Sequence, residues 1–199
     1  MKKLSHNLQS QSKKTAGEIL SRLPEVFGVR EVEKYVRYPG LWASRVVASG
    51  RILRLQRGTY WNRFRYPDLS LPYLACQIKS DPSYISCEWA LHVRGVLLQR
   101  PFVCTVVTLS TAVGRGREVA LMGETIEFSK IDESLFWGYE PVEGYFLASA
   151  EKAYLDTFHY HRDPERWGEL EKDMLDLKAF QSMAAKFPKR TVKRIRIGN

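Results

Sequence analysis

Between Thr15 and Tyr66 the chain is interrupted at short intervals by Pro24, the pair Pro39-Gly40, Gly50 and Gly58. Proline cannot continue a helix, and glycine at this spacing marks helix ends and tight turns, so only short elements fit. Thr15, with Glu18 three residues on, has the pattern of a capping box. Ile19, Leu20 and Leu23 then supply the apolar stripe of a first helix that Pro24 stops. Val29, Val32 and Val36 predict a second helix in VREVEKYVR. A third is predicted over 41–49, where Ala43, Val46 and Val47 fall on one side and Leu41, Ser44, Arg45, Ala48 and Ser49 on the other.

The stretch RILRLQRGTYW follows at once. Ile52, Leu53 and Leu55 with the turn signal Gly58 predict a hairpin, and Arg51, Arg54 and Arg57 charge it. Three short helices followed by a basic hairpin is the order of a winged helix-turn-helix. In such domains the third helix enters a major groove and the hairpin touches phosphates or an adjacent minor groove. Leu41, Ser44, Arg45 and Ser49 are therefore the candidate recognition-helix contacts. Arg51, Arg54 and Arg57 are the candidate wing contacts, with Arg57 at the tip and Arg63 and Arg65 weaker. A winged-helix protein-interaction module without operator-specific DNA binding is the alternative this pattern leaves open.

Charge is segregated along the chain. The total is +9, yet residues 1–69 hold 14 Lys/Arg against 5 Asp/Glu and residues 70–188 hold 12 against 17. The last stretch, 189–199, holds five basic residues and no acidic ones: Lys189, Arg190, Lys193, Arg194 and Arg196. Positive ends on an acidic body fit a basic binding module joined to something else, and they make the five carboxyl-terminal cations auxiliary DNA-contact candidates.

The chain divides into a disordered arm at 1–14, a winged-helix domain at 15–66, a mixed α+β domain at 67–188 and a basic tail at 189–199, with YPDLSLPYL marking the boundary. In the second domain a helix is predicted over 71–78, followed by a short extended entry into a helix with Trp89, Ala90 and Val93 on its apolar side. VCTVVTL at 103–109 is the clearest strand, and a pair of strands is predicted in GRGREVALMGETIEFSKI. Helices are expected at 149–160 capped by Ser149, across WGELEKDMLDLKAF, and over 181–187. No run approaches the roughly 20 apolar residues of a membrane span. Cys76, Cys87 and Cys104 are too widely spaced for a metal or redox pair and read as core thiols in a reducing, cytoplasmic setting.

Motifs for chemistry are thin. Gly114-Arg115-Gly116-Arg117 lacks a phosphate-loop pattern and reads as a strand turn. His159-x-His161 beside Asp156 and Asp163 is too sparse for a tetrahedral metal site, and Cys87-Glu88 near His92 lacks a third orienting group. Glu151, Lys152 and Asp156 form a compact charged group on an apolar helix, most cheaply read as helix support or a hydrogen-bonded junction between the domains. Neither an enzyme nor a cofactor is expected.

Taken together, SGRILRLQRGTYW, YISCEWALHVRGV, VCTVVTL and LFWGYEPVEGYFLASAEKAYLD resemble the AbiEi family of antitoxin-like transcriptional regulators, across residues 15–188. The resemblance implies a bacterial DNA-binding repressor whose first domain recognises operator repeats in duplex DNA. It also implies a functional link to a separately encoded nucleotidyltransferase-like toxin of a type IV toxin-antitoxin pair. Glu151, Lys152 and Asp156 match a family motif without an assigned role. Paired operator half-sites would make a homodimer the expected form.

Overall fold

The computed structural model of the chain describes residues 15–79, 81–111 and 117–195. The arm at 1–14, Gly114-Arg115-Gly116 and Arg196 lie outside the described residues. Two compact units divide the chain at Asp68 and Leu69. Together they hold several short helices and two sheets, an α+β fold.

In the first unit the capping box forms as the spacing predicts. Thr15 Oγ1 accepts from the Glu18 amide at 3.3 Å, the Glu18 carboxylate accepts from the Thr15 amide at 2.6 Å, and helix α1 (Ala16–Leu20) follows. A three-residue strand β1 (Val26–Gly28), too short to show a period, comes next. Helix α2 (Val29–Glu33) stops well short of the predicted Arg37. Tyr38 precedes a proline and holds φ −126, ψ 77, outside the helical region, as proline sterics demand. Helix α3 (Pro39–Ala48) starts two residues before the predicted Leu41. The Pro39-Gly40 pair that reads as a break is the first turn, where proline's missing N–H costs nothing.

Strands β2 (Leu53–Gln56) and β3 (Thr59–Trp61) form the hairpin around Arg57-Gly58, and Gly58 holds the positive φ of +80 that favours glycine. Strand β1 pairs antiparallel with β3, giving the order β1-β3-β2. The core joins Ile19, Leu20 and Leu23 of the α1 region to Phe27, Val32, Ala43 and Val46. Asn62, fully buried after β3, closes this unit. Its Nδ2 donates to the carbonyls of Leu20 at 2.9 Å and Leu23 at 3.2 Å, satisfying chain ends that α1 leaves open.

The second unit opens with α4 (Leu71–Gln77), capped by Ser70. Its six-stranded sheet contains β4 (Ser83–Ser86), β5 (Val103–Thr108), β6 (Glu118–Leu121), β7 (Glu124–Lys130), β8 (Tyr139–Val142) and β9 (Tyr145–Ala148), in the order β6-β7-β5-β4-β9-β8. β5 runs parallel to β7 and antiparallel to β4. Hairpins β6–β7 and β8–β9 turn on Met122-Gly123 and Glu143-Gly144, with positive φ at all four residues. This is the twist-matched two-residue turn, formed here without an Asn-Gly or Asp-Gly signal.

Helix α5 (Cys87–Val93) follows β4 directly and packs on α6 (Ala150–His159). Trp89 and Ala90 are buried as predicted, but Val93 is exposed. The long helix expected from Trp167 does not form. A single 3-10 turn spans Lys172–Met174, and α7 (Leu177–Ala184) begins where Asp176 Oδ1 accepts from the amides of Lys178 and Ala179 at 2.8 and 3.2 Å. Within the stretch read as a tail, Lys189–Val192 forms a further helix, α8, whose Thr191 is buried. Among the described residues no helix is long and apolar enough to cross a membrane.

Replacing Asn62 by Ala would take the side-chain donor from the buried Leu23 carbonyl and should destabilise the first unit by about 1–3 kcal/mol. Amide hydrogen exchange should accelerate across residues 15–68 while protection of the β5 amides is unchanged.

Candidate functional site

Helix α3 buries Ala43 and Val46 and turns Leu41, Ser44, Arg45 and Ala48 to the outside, one face by their i, i+3, i+4, i+7 spacing. Leu41 is 53% exposed, an apolar side chain with no place in the core. Ser44 Oγ donates to the Gly40 carbonyl at 3.0 Å, and the exposed C-cap Ser49 donates to Val46 at 2.7 Å. Each hydroxyl has spent its proton within the helix and keeps its lone pairs as acceptors.

On the hairpin Arg51, Arg54 and Arg57 are all exposed. The Arg51 guanidinium lies 5.9 Å from the Phe64 ring centroid, and Arg54 Nε donates to the Gln56 carbonyl at 3.3 Å. Arg65 donates to the Ser21 carbonyl at 2.7 Å, and Arg63 covers Trp61. Arg45 and Arg57 have no hydrogen-bond or ion-pair partner among the described residues, so of these arginines they are the least committed to their own fold.

The second unit carries charge inside. Lys152 and Asp156 on α6 are both fully buried and form an i, i+4 ion pair. Asp156 also accepts from Tyr84 Oη at 3.0 Å and Ser86 Oγ at 2.7 Å, both on β4, while Lys152 Nζ donates to Tyr84 Oη at 2.8 Å. Rings of Tyr84, Trp137 and Phe187 surround the ammonium at 5.1–5.4 Å. Burial lowers the Lys152 pKa, opposed by Asp156, and raises that of Tyr84, which Asp156 raises further.

A second network joins Arg162, after α6, to Glu88 of α5 at 2.9 Å, to Thr105 of β5 at 2.8 Å, and to Glu127 of β7. Cys87 stands at the strand-to-helix junction before Glu88 with φ +54, and burial pushes its thiol pKa up.

These contacts revise the reading of the charged motif. Lys152 and Asp156 are buried and support no exposed helix face, and among the described residues their partners lie within the second unit. Glu151 points elsewhere, accepting from the Asp176 amide at 2.9 Å and so fastening the start of α7. Tyr84, Ser86, Glu88, Thr105, Glu127 and Arg162 escape sequence reading. The one local hint is the i, i+4 Lys-Asp pair on an otherwise apolar helix, because it cannot show which strand supplies the remaining partners. His92 Nδ1 is tied to the Leu97 carbonyl at 3.0 Å, and His159 Nδ1 meets Thr191 at 3.4 Å. Arg117 pairs with Glu127 at 2.6 Å. Lys189, Arg190, Lys193 and Arg194 are exposed.

No family model matches this chain, and no curated protein matches it.

Replacing one member of a buried pair strands the other charge. Lys152→Met or Asp156→Asn should each cost about 3–5 kcal/mol, whereas Lys152→Met with Asp156→Leu should recover most of the loss. Urea denaturation of all three variants reads this directly.

His159 offers a pH test. Burial holds it below the usual histidine range, Asp156 opposing and Lys152 and Arg190 adding to the effect. Its folded-state pKa being depressed, the unfolded chain takes up the proton first. The contribution is therefore complete above the ordinary value of about 6.5 and declines as pH falls through the lower folded value. The drop in denaturation midpoint between pH 7.5 and 5.5 should shrink in His159→Phe.

Proposed function

We propose that residues 15–68 act as a winged helix that binds double-stranded DNA, and that the chain is a transcriptional repressor of the AbiEi type. The observation that carries this reading is the joint exposure of Leu41, Ser44 and Arg45 on one face of α3 and of Arg54 and Arg57 on the hairpin that follows it. The order of helix, short strand, two helices and hairpin, with β1 paired to the hairpin's second strand, supports it.

The chemistry is specific to each element. Arg45 can donate in bidentate fashion to the O6 and N7 of a guanine, and Ser44 and Ser49 can accept from the amino group of a cytosine or adenine. Leu41 suits a thymine methyl. Arg54 and Arg57 neutralise phosphates, and each such contact releases a counterion and makes affinity fall with salt. The second unit supplies dimer or regulatory contacts, and operator repeats place two copies on neighbouring half-sites. A nucleotidyltransferase-like toxin is the functional counterpart that the resemblance implies.

Fluorescence anisotropy against the chain's own promoter and a shuffled duplex tests the reading, with tighter binding to the promoter expected. Arg57→Ala should weaken both duplexes alike and lower the salt slope by about 1, while Arg45→Ala should lose about 1–3 kcal/mol on the promoter alone. Equal affinity for both duplexes, or identical effects from both substitutions, would refute it and favour a protein-contact role for the same unit.

A further inference from the structure

In the second unit the end of α6, the loop after it and the helical turn after α8 enclose a cleft of about 690 Å³. Phe158, His161, Arg162, Arg166, Trp167 and Arg194 contribute to its walls, along with Asp163 and Glu165. The size suits a small organic ligand. Its charge decides which kind.

The two acids in the wall already have cations. Asp163 faces Arg166 at 3.6 Å, and Glu165 binds Lys172 at 2.6 Å. At its other side Arg162 is itself held by Glu88 and Glu127. Arg194 is what remains: an exposed guanidinium with no hydrogen-bond or ion-pair partner among the described residues. Arg190 shares its side by i, i+4 spacing, while buried Thr191 and Phe187 hold the short helix against α6 through His159. Beside two arginines that are already paired, the unpaired Arg194 is available to an outside anion.

Trp167 adds a second chemistry. It is 38% exposed and lines the cleft with Arg166 and Arg194, offering a flat apolar ring. His161, at the same wall, holds a positive φ of +62 as the left-handed residue that ends α6, where the Arg162 amide donates back to the Thr157 carbonyl at 3.0 Å.

We infer that this cleft binds a nucleotide, either free or as one unit of a single strand. The base stacks on Trp167, and Arg194 holds the phosphate. Base stacking on an aromatic ring tolerates any base, and guanidinium matches the phosphate fork, so the pairing recognises nucleotide chemistry without reading sequence. The site owes nothing to α3 or the hairpin and is separable from duplex binding by the first unit.

The test uses the full chain carrying Arg45→Ala and Arg57→Ala, which weakens the first unit's contribution, and a fluorescein-labelled dT10 strand followed by anisotropy. The strand should bind. Trp167→Ala should weaken it about 10-fold or more and Trp167→Phe much less. Arg194→Ala should weaken it and lower the salt slope by about 0.7. Displacement by unlabelled dTMP assigns a free-nucleotide site, and displacement by unlabelled dT10 alone assigns a single-strand site; either supports the cleft. No binding, a Trp167→Ala affinity equal to the parent's at matched thermal stability, or displacement by polyphosphate alone overturns it. Duplex affinity of the chain without the two background substitutions is measured separately, so failure of the operator reading stays distinct.

Discussion

Everything in the second unit is arranged around one carboxylate that never meets water. Asp156 receives the Lys152 ammonium from its own helix and two hydroxyls from β4, so a single buried anion binds α6 to the middle of the sheet. An isolated charge in such a place is strongly unfavourable, and its counter-ion and hydroxyl partners offset that cost only in one geometry. The same demand shapes the surroundings. Tyr84 is positioned by both charges, and Phe187 and Trp137 close over the ammonium. Gly138 passes so near that a Cβ there would lie 3.1 Å from the Lys152 side chain.

The Arg162 network joins α5 to strands β5 and β7, since one guanidinium reaches Glu88 Oε2, Thr105 and Glu127 together, while Glu88 Oε1 stays without a partner among the described residues. Cys87 lies at the junction leading into that network and keeps a positive φ. Two ionic networks on one core are specific about packing: shifting α6 by a turn would leave several charges unpaired at once. That is a reason for charge here which apolar residues of equal volume would not supply.

The first unit puts its charge to the opposite use. Its core is apolar apart from Asn62, and its arginines stand outside, with Arg45 and Arg57 uncommitted to internal contacts. Exposed guanidiniums add little to stability. The helix and hairpin that display them are held from within by Ile19, Phe27 and Val46.

How much of this was legible in advance depends on the range over which each cause acts. Short-range causes could be read. Thr15 and Glu18 announce a capping box, Ser149 announces α6, and the alternation of buried and exposed residues along α3 follows from its period. Proline is subtler, since Pro39 reads as a break and serves as the first residue of a helix. Where the decisive partner is distant in the chain, the sequence is silent. β1 exists because it pairs with Trp61 and its neighbours, and the helix expected from Trp167 yields to the Asp176 cap. Lys152 and Asp156 were visible as a charged pair, but their burial depends on Tyr84 and Ser86, about seventy residues earlier. By itself the sequence determined the short elements, the exposed arginines and the segregation of charge, because these follow from local sterics and composition. Only the tertiary structure decided which charges are buried and which line a cleft, because burial is a property of the neighbours that folding brings together.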